Sequence, residues 1–232
     1  MGPVAVVLVA AGSGARLGDS IPKAFVLLAG RSLLTRAVTT AAECPDVSVI
    51  VVVAPPSHLD EAAAAVSAAR IRAEVEVVVV PGGTHRGDSV SAGLAALAHQ
   101  PSIVLVHDAA RALAPGSLFA AVIEAVRAGH PAVVPGLPVV DTIKQVDAAG
   151  LVVATPDRAA LRAIQTPQGF GAEILLQAHH AAAPGDPVTD DAGLVERMGI
   201  GVHVIDGDPL ALKITTSEDL ALAETLLERR PA

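Results

Sequence analysis

Seven consecutive apolar residues, Val4 to Ala10, run straight into a loop with three glycines. The loop reads Ala11-Gly12-Ser13-Gly14-Ala15-Arg16-Leu17-Gly18, and Pro22-Lys23 follows closely. An apolar run that is continuous rather than alternating is buried on both faces, the pattern of a strand inside a parallel sheet. Glycines let the backbone after it approach a ligand closely and turn several N–H groups toward one anion. Arg16 and Lys23 bring two positive charges to the same loop. Strand, glycine loop, arginine and lysine together predict a phosphate site, and with two cations a triphosphate site. The plainer alternative is a tight strand-to-helix turn with no ligand.

The loop fits neither common phosphate cradle. No Gly-Lys-Ser/Thr closes it, so it is not a Walker A loop. Its glycines are spaced G-x-G-x-x-x-G, one residue longer than the dinucleotide fingerprint, and the next apolar run, Val47–Ala54, ends in Pro55-Pro56 rather than in an acidic ribose clamp.

The rest of the chain repeats the first motif. Strand-like runs at Val47–Ala54, Glu74–Val80, Ile103–His107 and Ala132–Pro135 alternate with helix-like stretches near Ser32–Glu43, Leu59–Arg70, Ser89–His99 and Pro115–Ala128. Ser32 is a suitable N-cap. This order predicts an α/β fold: a Rossmann-like, mostly parallel sheet with helices on both faces. Right-handed crossovers would put every strand's carboxyl end on one edge, where ligands bind. The pattern breaks after Gly136. Pro138–Val146 and Leu151–Thr155, joined by Asp147-Ala148-Ala149-Gly150, read as a β-hairpin. A lone hairpin is marginal in water, so this arm, at about 137–156, must pack on a second subunit or back on its own domain. Helices near Ala172–Ala182 and Asp190–Met198, a strand at Val202–Asp206, and a last helix near Ser217–Arg229 capped by Ser217 complete a single domain over 1–232.

Composition removes several functions. With 52% hydrophobic and 17% charged residues over 232 positions, the chain can bury a large core. A net charge of −8 argues against a broad nucleic-acid footprint. Trp and Tyr are absent and Phe occurs three times, so a base must be read by backbone groups and small side chains, not by stacking. The single cysteine, Cys44, excludes an internal disulfide and fits a reducing cytoplasm. No signal-peptide pattern or membrane span is expected. The eight histidines form no metal-binding spacing.

The polar clusters fall just after predicted strands. Gly82-Gly83-Thr84-His85-Arg86-Gly87-Asp88-Ser89 exposes glycine backbone, and Ser89 is suited either to cap a helix or to hydrogen-bond a base. In His107-Asp108-Ala109-Ala110-Arg111, Asp108 is placed to hold Mg²⁺ through oxygen and Arg111 offers a fork for ribose or phosphate; a surface Asp–Arg pair is the alternative. Asp141-Thr142-Ile143-Lys144 lies on the hairpin, and Thr166-Pro167-Gln168 and Thr189-Asp190-Asp191 lie on loops or helix starts. Among 16 basic residues only Lys23, Lys144 and Lys213 are lysine, the compact point charge suited to a phosphoryl group.

These segments resemble a known family. Ala10–Gly18 with Pro22-Lys23 resembles the signature of the sugar-nucleotide pyrophosphorylase-like nucleotidyltransferases. The segments at Val106–Arg111, Asp141–Lys144, Thr166–Gln168 and Thr189–Asp191, in that order, resemble the 2-C-methyl-D-erythritol 4-phosphate cytidylyltransferase family of the non-mevalonate isoprenoid pathway. Ala112 and Thr84 depart from the family's usual proline and charged residue. The resemblance implies transfer of CMP from CTP to the polyol phosphate with release of pyrophosphate. It makes Arg16, Lys23 and Lys213 catalytic, with Arg16 and Lys23 neutralising the triphosphate, and assigns Ala10, Ala11, Gly12, Ser13, Gly14, Gly83, Thr84, Ser89 and Asp108 to CTP. Arg111, Thr166, Thr189 and Lys213 match positions that hold the polyol phosphate. Thr142 and Arg158 match positions that reach a neighbour's site across a dimer. Mg²⁺ or another divalent cation, a cytoplasmic homodimer joined through the arm, and no nucleic-acid or membrane partner complete the expectation. A D-ribitol-5-phosphate cytidylyltransferase is the runner-up. A nucleotide-binding module without turnover and an NAD-binding oxidoreductase are the alternatives of other classes.

Overall fold

The strand β1 (Val4–Val9) lies at the middle of the molecule, with Val4, Val6, Val7 and Leu8 inaccessible to solvent. It is flanked by β4 (Val47–Ala54) and β6 (Ile103–Asp108), both parallel to it. The computed structural model describes residues 2–12, 21–182 and 190–229. In chain order the other elements are a small hairpin of β2 (Leu27–Leu28) and β3 (Arg31–Ser32), α1 (Leu33–Glu43), α2 (Leu59–Ser67), β5 (Glu76–Pro81), α3 (Arg86–Ala95), α4 (Gly116–Arg127) and β7 (Ala132–Pro138). Then come β8 (Gln145–Val146), β9 (Val152–Ala154), β10 (Arg162–Ile164), β11 (Gln168–Gly171), α5 (Ala172–Ala181), α6 (Asp191–Arg197), β12 (Val202–Asp206) and α7 (Ser217–Glu228).

Among the described residues the main sheet has eight strands, ordered β10-β7-β11-β6-β1-β4-β5, with β12 on the free side of β7. Alternate residues of its buried strands feed two cores. Val4, Val6, Leu8, Ile50, Val52 and Leu105 pack under α1, α2 and α4. Val7, Val51, Val53, Val104 and Val106 pack under α3, α5 and α6. A strand buried on both faces therefore has no polar position to spare, which is why β1 reads as an unbroken apolar run.

The expectation that every strand ends on one edge needs correction. β10 and β11 run antiparallel to β7, and β11 also runs antiparallel to β6. The remaining strands of the sheet keep a common direction, so the carboxyl ends of β1, β5 and β6 still converge. The strand β11, Gln168-Gly169-Phe170-Gly171, carries little strand propensity, with two glycines and a glutamine. Packing explains Gly169: a Cβ there would collide with Val122 of α4.

Two helix starts also differ from expectation. α3 begins at Arg86, with the His85 N–H bonded to Asp88 Oδ2 at 3.0 Å, three residues before the expected Ser89. α7 is capped by Thr216, whose hydroxyl accepts from Asp219 N–H at 3.2 Å, not by Ser217. Ser32 caps α1 as expected, accepting from Thr35 N–H at 3.0 Å.

The arm forms, and it does not fold back. Every residue from Val140 to Thr155 is exposed, Val140 at 79% and Leu151 at 67%. Pairing is confined to Gln145–Val146 with Val152–Ala154, shorter than the expected runs. Its turn is held by Asp147 Oδ1, which accepts from Ala149 N–H and Leu151 N–H at 2.9 Å each. Among the described residues no helix is long and apolar enough to cross a membrane.

Candidate active site

A cleft of about 330 Å³ opens at the carboxyl ends of β1, β5 and β6. Register and turns assemble it. Val9 lies opposite Asp108 in the β1–β6 pair, Ala109 N–H bonds to Val9 carbonyl at 3.0 Å, and Ala10 N–H bonds to Val53 carbonyl at 2.8 Å. This aligns Ala10, Ala11 and Gly12 with Asp108, Ala109 and Ala110 across the floor. The opposite wall is Gly83, Thr84, His85, Arg86 and Ser89. The backbone approaches closely here: a Cβ on Gly82 would sit 2.7 Å from Ala11 Cβ and 2.8 Å from Ser89 Oγ. Ser89 is 2% exposed and braces this wall, its Oγ accepting from Gly83 N–H at 3.2 Å and donating to His85 carbonyl at 3.1 Å. A base entering here meets backbone groups and small side chains, as the scarcity of aromatic residues requires.

Charge enters from three directions. Lys23, on a short 3-10 turn after the glycine loop, lines the cleft. Lys213 arrives from the segment after β12, which is tied to the floor by Ile214 N–H bonding to Ala110 carbonyl at 2.9 Å. Its Nζ lies 2.7 Å from Asp108 Oδ2. Arg86 supplies the third cation, with Nε 3.4 Å from Asp108 Oδ1. Burial alone would raise the pKa of Asp108, but Arg86 and Lys213 outweigh it and hold the carboxyl ionised well below the usual carboxylate range. The alternative of a surface pair of Asp108 with Arg111 does not form: Asp108 bridges Arg86 and Lys213 instead.

Asp108 fits a divalent cation in one respect. It is an ionised oxygen donor at a strand end facing the cleft, and a magnesium ion held by one carboxylate takes its remaining ligands from phosphates and water. Among the described residues there is no cluster of three or more His, Cys, Asp or Glu that would hold a metal without the nucleotide.

Arg111 and Thr166, expected on the polyol phosphate, make hydrogen bonds within the protein. Arg111 has its fork on backbone: Nη1 donates to Ala211 carbonyl at 2.6 Å and Nη2 to Ile164 carbonyl at 3.2 Å, while Nε is buried without a partner among the described residues. Thr166 is 4% exposed and sits behind Asp108, not in the cleft wall. Its Oγ1 accepts from Asp108 N–H at 3.0 Å and meets His107 Nδ1 at 2.9 Å. Thr166 Oγ1 thus already has two partners inside the protein. Thr142 and Arg158 are exposed at the arm; Arg158 Nη1 donates to Val140 carbonyl at 2.6 Å, and neither lines the cleft of its own chain. Ser13, Gly14, Arg16 and Thr189 lie outside the described residues.

Sequence reasoning left Arg86 without a role, although it quoted the segment. Its partners come from far along the chain: Asp108, and Asp191, whose Oδ2 accepts from Arg86 Nη1 at 2.7 Å. Asp191 is 1% exposed, and a buried carboxylate requires a cation. The adjacent pair Asp190-Asp191 was the available signal: Asp190 caps α6, leaving Asp191 to turn inward.

A glycine-walled cleft at the carboxyl edge of a doubly covered sheet, lined by lysines from two distant segments and an ionised aspartate, defines a nucleotidyltransferase. Comparison with known proteins narrows the class. The pattern of the 2-C-methyl-D-erythritol 4-phosphate cytidylyltransferase family matches residues 4–229. The chain is 52% identical to the enzyme of that name from Nocardia farcinica over 231 residues, covering 100% of this chain and 96% of the relative. It is 53% identical to that from Rhodococcus jostii over 227 residues, 98% of this chain and 96% of the relative. The crystal structure of the same-named protein from Thermus thermophilus superposes with a TM-score of 0.75 at 36% identity, covering 97% of this chain and 99% of that one. The 4-diphosphocytidyl-2C-methyl-D-erythritol synthase of Anaerococcus prevotii superposes with a TM-score of 0.84 at 30% identity, over 98% and 99%. The chain belongs to the 2-C-methyl-D-erythritol 4-phosphate cytidylyltransferase family. It is a cytidylyltransferase of isoprenoid biosynthesis, and these matches favour methylerythritol phosphate over the ribitol alternative.

Proposed function

We propose that this cleft binds CTP with its base against Ala10, Ala11, Gly83, Thr84 and Ser89, its ribose near Asp108, and its phosphates on the backbone of Gly12, Ser13 and Gly14. A phosphate oxygen of 2-C-methyl-D-erythritol 4-phosphate attacks the α-phosphorus of CTP. The new O–P bond forms as the bond to the bridging oxygen breaks, and pyrophosphate leaves with that bond's electron pair. The attacking oxygen is already anionic, so no general base is required, and rate acceleration comes from positioning and charge neutralisation.

Arg16 and Lys23 neutralise the triphosphate and the charge gathering on the leaving group. Lys213 is suited to the incoming phosphate: it is 44% exposed, against 10% for Asp108, whose carboxylate holds the ammonium at the cleft mouth. Asp108 would hold Mg²⁺ together with the nucleotide's phosphate oxygens, and the ion would supply further charge neutralisation there. Arg111, Thr166 and Thr189 complete the polyol-phosphate side. For Arg111 and Thr166 the present hydrogen bonds point to a supporting role, fixing the backbone of Ala211, Ile164 and Asp108 around the site.

The exposed apolar arm supports a homodimer. Val140, Val146, Leu151, Val152 and Val153 are each more than half exposed, and such a patch calls for a partner. A second copy would bring Thr142 and Arg158 to the neighbouring cleft. A reducing cytoplasm suits the single, buried Cys44.

One observation carries the reading: two lysines and an aspartate from three distant segments meet in one cleft floored by Ala10–Gly12. The test is pyrophosphate release from CTP and Mg²⁺ with methylerythritol phosphate or ribitol phosphate. Release with methylerythritol phosphate is expected. Release with ribitol phosphate alone would refute the acceptor, and no release with either would refute the reading.

A further inference from the structure

Behind the cleft, a buried chain of polar groups leads from Arg86 back to the surface. The guanidinium of Arg86 spans two carboxylates, donating through Nη1 to Asp191 at 2.7 Å and through Nε to Asp108 at 3.4 Å. The other oxygen of Asp191 lies 3.0 Å from Nε2 of His179 on α5. His179 is itself buried, its side chain 5% exposed, and its Nδ1 lies 3.0 Å from the hydroxyl of Ser91 on α3. Three helices thus meet at one aspartate.

The proton positions follow. Burial alone would raise the pKa of Asp191, but the bonds from His179 and Arg86 hold it below the usual range, so it is ionised and can only accept. Nε2 of His179 therefore carries a proton, and in the neutral ring Nδ1 accepts from Ser91. Each oxygen of Asp191 then has its own donor. This division matters for Arg86. A carboxylate with a free oxygen takes a guanidinium in a two-pronged grip, the stronger arrangement. With His179 on one oxygen, Asp191 grips Arg86 through Nη1 alone. Nε stays turned to Asp108, and Nη2 is left buried with no hydrogen-bond partner among the described residues. Arg86 lines the cleft.

We propose that His179 is a positioning residue for nucleotide binding: by occupying one oxygen of Asp191 it keeps the guanidinium of Arg86 in the wall of the CTP cleft. The inference rests on the reading of this cleft as the CTP site. Removing the imidazole frees an oxygen of Asp191, which competes for a second N–H of Arg86. The 3.4 Å contact to Asp108 is the weaker of the two and yields. The guanidinium then turns away from the nucleotide, while the reacting phosphorus keeps its own contacts.

Steady-state kinetics of the full-length protein test this. His179→Ala should raise KM for CTP about five- to tenfold, with kcat within about twofold and KM for methylerythritol phosphate unchanged, the pattern of lost uniform binding. In His179→Gln the side-chain amide can donate to the same oxygen, and KM should return to within about twofold of the original. The effect of His179→Ala should vanish in an Arg86→Ala background, because coupled residues are non-additive. An unchanged KM for CTP in His179→Ala, or an effect undiminished in the Arg86→Ala background, overturns the proposal. If His179→Ala does not fold, Ser91→Ala at the exposed end removes only the hydroxyl that fixes the ring. A rise of about twofold in KM for CTP supports the proposal and none overturns it. Failure of the unaltered protein to turn over CTP would refute the site assignment, a separate outcome.

Discussion

His107 gives the fold a measurable dependence on pH. It lies on β6 with 1% exposure, its ring edge-on to Phe119 at a centroid distance of 4.9 Å. Its Nδ1 lies 2.9 Å from the Thr166 hydroxyl oxygen, which in turn accepts from Asp108 N–H. Protonating the ring would put a charge among apolar groups. Burial is the main reason that its pKa falls from 6.5 to about 4, and Arg111 lowers it further. The unfolded chain therefore binds a proton near pH 6.5 that the folded chain refuses until about pH 4. Stability is full above the unfolded value and falls as pH drops between the two. At about 1.36 kcal/mol for each tenfold change in proton affinity, the loss reaches about 2 kcal/mol between pH 7 and pH 5. Urea titrations at a series of pH values on the native protein and on His107→Asn should reveal it. The variant has a lower stability throughout, because it leaves a gap beside Phe119, yet its dependence on pH should be shallower by about 2 kcal/mol over that interval. Parallel curves would refute the argument, since a gap alone shifts stability equally at every pH.

Lys23→Ala should cut turnover about a hundredfold or more, on the scale of one preorganised charge contact, with the fold intact by circular dichroism; near-normal turnover contradicts its role. Asp108→Asn leaves Lys213 and Arg86 short of a buried anion and should cost about 3 kcal/mol at neutral pH. Because the carboxyl stays ionised well below the usual range, that difference should hold from pH 8 to 5 and shrink only below about pH 4, as read by thermal melts. For the arm, Val152→Asp with Leu151→Asp should convert a dimer to a monomer in sedimentation and depress activity; a fully active monomer refutes the cross-subunit reading of Thr142 and Arg158.

Residues were easier to read from the sequence than the directions in which they face. β1 and β4 were legible because a strand covered on both faces must be apolar at every position. β10 and β11 were not, because Arg162–Ile164 and Gln168–Gly171 are short, and tertiary packing, not propensity, makes them strands. The cleft's floor was legible from glycines and strand ends, and Gly83, Ser89, Asp108, Lys23 and Lys213 do meet there. The pairing was not. Asp108 stands three residues from Arg111 in sequence, so local reading joins them. The fold instead turns Arg111 to two carbonyls and brings Arg86 and Lys213 to Asp108 from either side. Arg86 and Asp191 are 105 positions apart, a separation at which no local pattern speaks.

The charges of the cleft would let a chain of net charge −8 hold an anionic substrate there. Lys23, Arg86 and Lys213 line the cleft with Asp108 among them, and Asp191 stands behind Arg86, so cations outnumber carboxylates among these described residues. Low-dielectric walls focus such a field outward, and an approaching nucleotide is steered toward this opening. Asp108 then has a second consequence. Bound to Lys213 and Arg86, it keeps both cations apart and oriented when no nucleotide is present, a preorganisation that costs no rearrangement when phosphates arrive. Removing the aspartate would leave more net positive charge but less order, so the Asp108→Asn variant separates the two contributions: faster capture of CTP at low salt combined with slower turnover is the signature of lost orientation, whereas gains in both would mean that charge alone governs the site.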